Sequence, residues 1–242
     1  MYRIGIIQYI NSIPFSYGLE QYFHVQKDTP RNLALRLMNN EFDAAFIPVV
    51  DYLRNKDIYT LVDGVSISSF GPTNSVFIAC KTTICDIRII QESPASLSSN
   101  FISRIMLKEL YGITPLFIDH DHAADIDARI IIGDDALAID KSSFIKVLDV
   151  GEEWNSLTGL PMVYAVCVTK QPVLAKQIGI LLKERCRANL ADLDAILVSL
   201  NRQKYRTYLN SLNYSLTHMH LESINTINGF IEEEYKLCPE KC

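Results

Sequence analysis

Ile4-Gly5-Ile6-Ile7-Gln8-Tyr9-Ile10-Asn11-Ser12-Ile13-Pro14 is the stretch that decides the fold. A short apolar run that stops at a polar Asn-Ser pair, with Pro two residues on, reads as strand, turn and helix start: Asn or Ser caps, and Pro takes the first turn. Polar side chains and helix-start N–H groups then sit at the carboxyl end of a strand. In open α/β sheets ligands bind there, because the first amides of the helix favour negative charge. Alone, the stretch describes an ordinary capped βα turn, and a fold feature names no function.

Working outward, the same unit recurs. Residues 15–23 read as a short helix and 23–26 as a second strand; Thr29-Pro30-Arg31 then caps and opens a helix with Leu33, Leu37 and Met38 on one face, closed at Asn39-Asn40. Residues 43–47 form a buried strand ended by Pro48, 49–54 a short helix and 59–62 another strand. This β, α, β, α, β order favours a mainly parallel sheet in an α/β fold. Residues 65–76 are dense in hydroxyls and amides around Gly71-Pro72 and read as a solvated hairpin loop ahead of a strand at 75–80.

A second series starts at Ile84. Strands are expected at 86–91, 115–118, 128–132 and 146–150, with a helix at 96–110 that Ser93-Pro94-Ala95-Ser96 opens and Gly112 ends. Thr158-Gly159-Leu160-Pro161 forms a loop into a strand at 162–168, and residues 172–234 read as helical with breaks near Leu200-Asn201 and Asn213-Tyr214. Two α/β series followed by helices suggest two lobes, with the late strand carrying the chain back to the first. The expected division is 1–83 plus 164–242 for one lobe and 84–163 for the other, with the polar turns facing a cleft where small-ligand sites collect.

The 242 residues suffice for a large core, and 48% hydrophobic with 21% charged residues is a globular composition. No apolar run reaches the length of a membrane span, and Met1-Tyr2-Arg3-Ile4-Gly5 enters a strand without a basic leader, so a cytoplasmic location is expected. The six cysteines are scattered and read as reduced; Cys238 and Cys242 have no second pair at ligand spacing, so no metal site is expected. A net charge of −5 without a basic cluster argues against nucleic acid and anionic membranes.

Four segments carry a resemblance: Tyr9-Ile10-Asn11-Ser12-Ile13-Pro14, Ser66-Ile67-Ser68 through Gly71-Pro72 to Ser75-Val76, Ile132-Gly133-Asp134-Asp135-Ala136-Leu137, and Asp149-Val150-Gly151 through Trp154 to Leu157-Thr158-Gly159-Leu160-Pro161. In order and spacing they resemble the chorismate dehydratases of the futalosine route to menaquinone. The match spans about residues 3–168, and the helical tail carries no signature. The resemblance implies a two-lobe, periplasmic-binding-protein-like (type II) fold with a cleft between the lobes, and conversion of chorismate to 3-[(1-carboxyvinyl)oxy]benzoate and water without a cofactor. Ala95 departs from the family's Ser-x-Thr-Ser turn, and Cys167 stands where Trp is common. The sister 1,4-dihydroxy-6-naphthoate synthase starts with a Pro-Asn-Asp turn that is missing here. A non-catalytic small-anion sensor of the same fold is the rival from another class.

That chemistry needs a grip on two carboxylates, stabilisation of charge on the ring carboxyl and exclusion of water. The polar turns hold no Lys or Arg, which leaves neutral donors: Asn11, Ser12, Ser68, Asn74, Ser75, Ser93, Ser96 and Thr158, with Gly159 beside it. None of His24, His120, His122, His218 and His220 lies in a matched segment, and His218 and His220 are expected to be exposed. The proton acceptor is left between Asp134 or Asp135, which also read as helix caps, and the substrate's own enolpyruvyl carboxylate. The family resemblance favours that carboxylate and has Asn11 position it. Asn11 and Ser75 are thus the expected catalytic pair.

Overall fold

The computed structural model describes residues 1–119 and 125–237. His120, His122, Cys238 and Cys242 lie outside them. In chain order the first series is β1 (Tyr2–Ile7), α1 (Ile13–Ser16), β2 (Phe23–Asp28), α2 (Pro30–Met38), β3 (Ala44–Pro48), α3 (Val49–Arg54) and β4 (Thr60–Ser69). The second is β5 (Val76–Cys80), β6 (Ile89–Gln91), α4 (Leu97–Tyr111), β7 (Leu116–Ile118), β8 (Ala128–Ile132), α5 (Gly133–Ala138), β9 (Lys146–Asp149) and α6 (Val150–Thr158). There follow β10 (Met162–Thr169), α7 (Pro172–Ala191), α8 (Leu193–Ser199), α9 (Arg206–Ser211) and α10 (His218–Leu237).

The strands form two five-stranded mixed sheets, ordered β2-β1-β3-β10-β4 and β7-β6-β8-β5-β9. In the first, β1 runs parallel to β2 and β3, and β10 lies antiparallel between β3 and β4. In the second, β6 is parallel to β7 and β8, while β5 is antiparallel to β8 and β9. Local signals explain the joints. Thr29 accepts the Asn32 N–H at the start of α2, Ser96 accepts that of Ser99 at the start of α4, and α4 stops at Gly112 with φ +67°. The expected helix at 15–23 is interrupted because Gly18 takes φ +70°.

One expectation is corrected. Residues 65–69 are strand, since β4 runs on to Ser69; the serines lose nothing by burial, as Ser66 Oγ donates to the Ser215 carbonyl and Ser68 Oγ to that of Asn213. The turn that remains, residues 70–75, bends on left-handed Gly71 (φ +86°) and Asn74 (φ +58°) and delivers β5 to the second sheet. Sheet membership therefore changes between Ser69 and Val76.

One apolar core runs through both halves. Trp154 on α6 is fully buried, donates its Nε1–H to Ser223 Oγ at 3.0 Å and meets Phe230 edge-on, binding α6 to α10. Losing such a buried indole costs about 3–5 kcal/mol. Gly151 is required by close packing: a Cβ there would fall 2.6 Å from Ser69 Oγ and 2.5 Å from the Tyr164 hydroxyl. No helix among the described residues is long and apolar enough to cross a membrane.

Candidate active site

Three first-half helix starts present backbone amides to the second half, each at the carboxyl end of a parallel strand. After β1, the Ile10 N–H donates to Asp134 Oδ1 at 3.0 Å. After β2, the Arg31 N–H donates to the Ala95 carbonyl at 3.2 Å. After β3, the Val50 N–H donates to Ser98 Oγ at 2.9 Å. These bonds clamp the halves around a cavity of about 40 Å³ whose wall includes Tyr9, Asn11, Thr73, Ser75, Ser96, Ser99 and Tyr164. Small-molecule pockets usually hold at least about 300 Å³, so this cavity is narrower than such sites usually are.

The polar wall is a set of neutral hydroxyls and an amide. Ser12 Oγ donates to Asn11 Oδ1 at 3.2 Å, which leaves the Asn11 amide N–H groups for the cavity. Tyr208 donates to Ser75 Oγ at 2.9 Å, and Thr73 Oγ1 lies 3.2 Å from the same oxygen. Asp149 holds this turn in place, its carboxylate accepting N–H groups from Thr73, Asn74, Gly151 and Glu152. Burial pushes the Asp149 pKa up against those four bonds. The Tyr9 phenol is pushed up to about 12 by burial and by the nearby Asp135 and Asp134 carboxylates, and burial raises Tyr164 and Tyr208 as well. At neutral pH all three phenols are therefore proton donors. Gly133 gives Tyr9 its place: at φ +64°, it has the Tyr9 ring where a Cβ would stand, 2.8 Å from Cδ2.

Of the expected site residues, Asn11, Ser75 and Ser96 meet in this wall. The others are not part of that wall. Ser12 is buried behind Asn11, and Ser68 is spent on Asn213. Asn74 is an exposed left-handed turn residue whose N–H goes to Asp149. Ser93 is paired through its backbone with Asn100 and accepts the Ala95 N–H. Thr158 donates to the Trp154 carbonyl, and Gly159 ends α6 at φ +71°. Asp134 lies beside the cavity on the Ile10 amide, with its pKa raised by half-burial despite that bond and Arg202; Asp135 is exposed. His24 and His218 are exposed, whereas His220 is buried, with Nδ1 2.7 Å from Thr217 Oγ1 and its pKa lowered by burial.

Thr73, Ser99, Tyr164 and Tyr208 were not expected. Tyr164 had a signal, as the polar member of the apolar run 162–168, and Thr73 stood inside a quoted turn. Tyr208 had none, because it arrives from α9, 133 residues after Ser75. Among the described residues no group of three His, Cys, Asp or Glu side chains could hold a metal ion.

Two mixed sheets meeting at a cavity define the class of periplasmic-binding-protein-like folds. Protein AF1704 of Archaeoglobus fulgidus matches with a TM-score of 0.62 at 15% identity, over 98% of each chain. The periplasmic aliphatic sulphonate-binding protein of Escherichia coli matches at 0.64 and 13% identity, over 99% of this chain and 94% of that one. By sequence the chain belongs to the menaquinone biosynthesis family, whose model matches residues 2–233. A chorismate dehydratase of Campylobacter jejuni is 28% identical over 185 residues, 72% of this chain and 70% of that enzyme.

Proposed function

We propose that this chain is a chorismate dehydratase acting in the cytoplasm on the futalosine route, yielding 3-[(1-carboxyvinyl)oxy]benzoate and water. The observation that carries this reading is the meeting of Asn11, Ser75 and Ser96, from three separate turns, in one cavity wall. The Campylobacter relative and the family support it. In chorismate the C3 hydrogen is acidified through the C1–C2 double bond by the ring carboxyl. Its C–H bond breaks, the electrons move toward that carboxyl, and the C4–O bond then releases hydroxide, which leaves as water with the abstracted proton. Aromatisation drives the step.

The chain's task is to bind and shield. Ser96 and Ser99, at the amino end of α4, suit the ring carboxylate, where hydroxyls and helix-start amides answer the growing charge. Asn11 holds the enolpyruvyl carboxylate toward C3, and that carboxylate takes the proton. Ser75 and Thr73 donate to the same substrate from the crossing turn. Closure of the halves around the substrate shields the reacting atoms from water.

Incubation of the purified chain with chorismate tests this directly: a new aromatic absorbance with stoichiometric loss of chorismate is expected. Tight binding of chorismate without turnover would instead favour the sensor reading, and chorismate left unbound and unchanged would return the sister naphthoate chemistry to consideration.

A further inference from the structure

The wall around Ser75 contains a chain of hydroxyls with a direction. At one end Ser69 Oγ donates its proton to the Gly71 carbonyl at 2.9 Å. A hydroxyl has one proton to give, so the contact of 3.0 Å between Ser69 Oγ and the Tyr164 hydroxyl has Tyr164 as donor. Thr73 stands beside the Tyr164 hydroxyl. At the other end Tyr208 donates to Ser75 Oγ at 2.9 Å. Between the two ends lies the contact between Ser75 and Thr73, 3.2 Å, longer than the usual 2.5–3.0 Å for hydroxyl pairs. Ser75 Oγ therefore already accepts the Tyr208 proton, and Ser75 lies in the cavity wall with no contact for its own proton shorter than that 3.2 Å one.

We propose that Tyr208 is a positioning residue of the active site: by donating to Ser75 Oγ it turns the Ser75 proton toward the substrate and makes it a stronger donor. The argument rests on the dehydratase reading above. Donation into a hydroxyl polarises its own O–H bond, so the effect on the outgoing bond exceeds that of a spectator contact. Tyr208 touches Ser75 and does not itself line the cavity, so its influence on the reaction passes through Ser75. The helical tail, which carries no signature in the sequence, thereby becomes part of the site.

The experiment is a double-mutant cycle of Tyr208→Phe and Ser75→Ala, read as kcat and KM for chorismate, with thermal midpoints and near-ultraviolet circular dichroism on each variant. Phe keeps the buried ring and removes one hydroxyl. Expected are a fall in kcat of about tenfold for Tyr208→Phe with KM within about twofold, and a double variant no slower than Ser75→Ala alone. A merely structural Tyr208 would shift the midpoint and lower activity to the same factor in both Ser75 backgrounds, which overturns the proposal. Unchanged kcat in a folded Tyr208→Phe overturns it too. A wild-type protein inert toward chorismate is a different failure, which removes the dehydratase reading and this proposal with it.

Discussion

The two halves of the molecule answer each other with opposite chemistry. The first half brings β1, β2 and β3 to the boundary and turns each directly into a helix start, so it offers the N–H groups of Ile10, Arg31 and Val50. The second half meets them with acceptors: the Asp134 carboxylate, the Ala95 carbonyl and the Ser98 hydroxyl. The ion pairs Arg3–Asp43, Arg36–Asp28 and Arg104–Glu92 each stay within one half. Closure by dipoles is short-ranged and weak per bond, about 0.5–1.5 kcal/mol each. These bonds add to the apolar seam at Trp154 and Phe230, which joins α6 to α10.

The largest break in this comparison is expected at the donors that remain for the ligand. Asn11→Ala in the first half and Ser75→Ala in the crossing turn should each lower kcat/KM for chorismate by about 100-fold, with little change in thermal midpoint for Asn11→Ala and a loss of about 1–3 kcal/mol for Ser75→Ala, which strands the buried Tyr208 hydroxyl. Steady-state kinetics on folded variants checks this, and a fully active Asn11→Ala would remove that residue from the mechanism.

Much of the first half could be read from the sequence because its signals are local. Thr29-Pro30 caps and starts α2 within three residues, and Ser96 and Gly112 bracket α4. The hydroxyl-rich segment around residues 65–69 misled because its partners are remote: Ser68 is satisfied by Asn213, and nothing within the segment announces that. Thr158 misled for the opposite reason, since its hydroxyl turns back on its own helix at Trp154. Asn11, Ser75 and Ser96 were legible as polar ends of βα units or crossings. Tyr208 was not, because a tyrosine in a helical tail is ordinary until the fold brings it to Ser75.

A second break concerns Asp51, next to the Val50 donor. Burial pushes its pKa up to about 6, against the positive charges of Arg54 and Arg31 and its own backbone N–H, and Oδ2 has no hydrogen-bond partner. The folded protein thus holds the Asp51 proton more tightly than the unfolded chain does. Its stabilising contribution is fully present below the unfolded value of 3.8 and is lost as pH rises through about 6. Asp51→Asn should therefore gain on the order of 2 kcal/mol at pH 8 and flatten the decline between pH 4 and 6. Urea unfolding at pH 4.5 and pH 8 measures both.

Ser98→Ala is a smaller break. It removes the acceptor for the Val50 N–H while leaving the cavity wall intact. A loss of about 1 kcal/mol in unfolding free energy is expected, together with a raised KM and an unchanged kcat, since without this bond the halves close less firmly on bound substrate while the cavity wall stays intact. A fall in kcat with unchanged KM would place Ser98 in the wall instead.

The smallest effect is the most discriminating, because Asp134 is both a clamp acceptor and a carboxylate beside the cavity. Asp134→Asn keeps an oxygen for the Ile10 N–H, 3.0 Å away in the native protein, and removes the ability to take a proton. Half-burial raises the Asp134 pKa, Asp135 adds to the rise, and the Ile10 N–H and Arg202 oppose it. With the folded value above the unfolded one, ionising Asp134 erodes stability as pH rises, so the Asn variant should be no less stable than wild type at pH 8. If Asp134 serves only as an acceptor for the first half's amide, kcat for chorismate stays within about threefold of wild type, the scale of a repositioned neutral contact. If it is the base, the variant loses about 100-fold or more while its thermal midpoint holds. That result would move Asp134 from the clamp to the chemistry and relieve the substrate's own carboxylate of the proton.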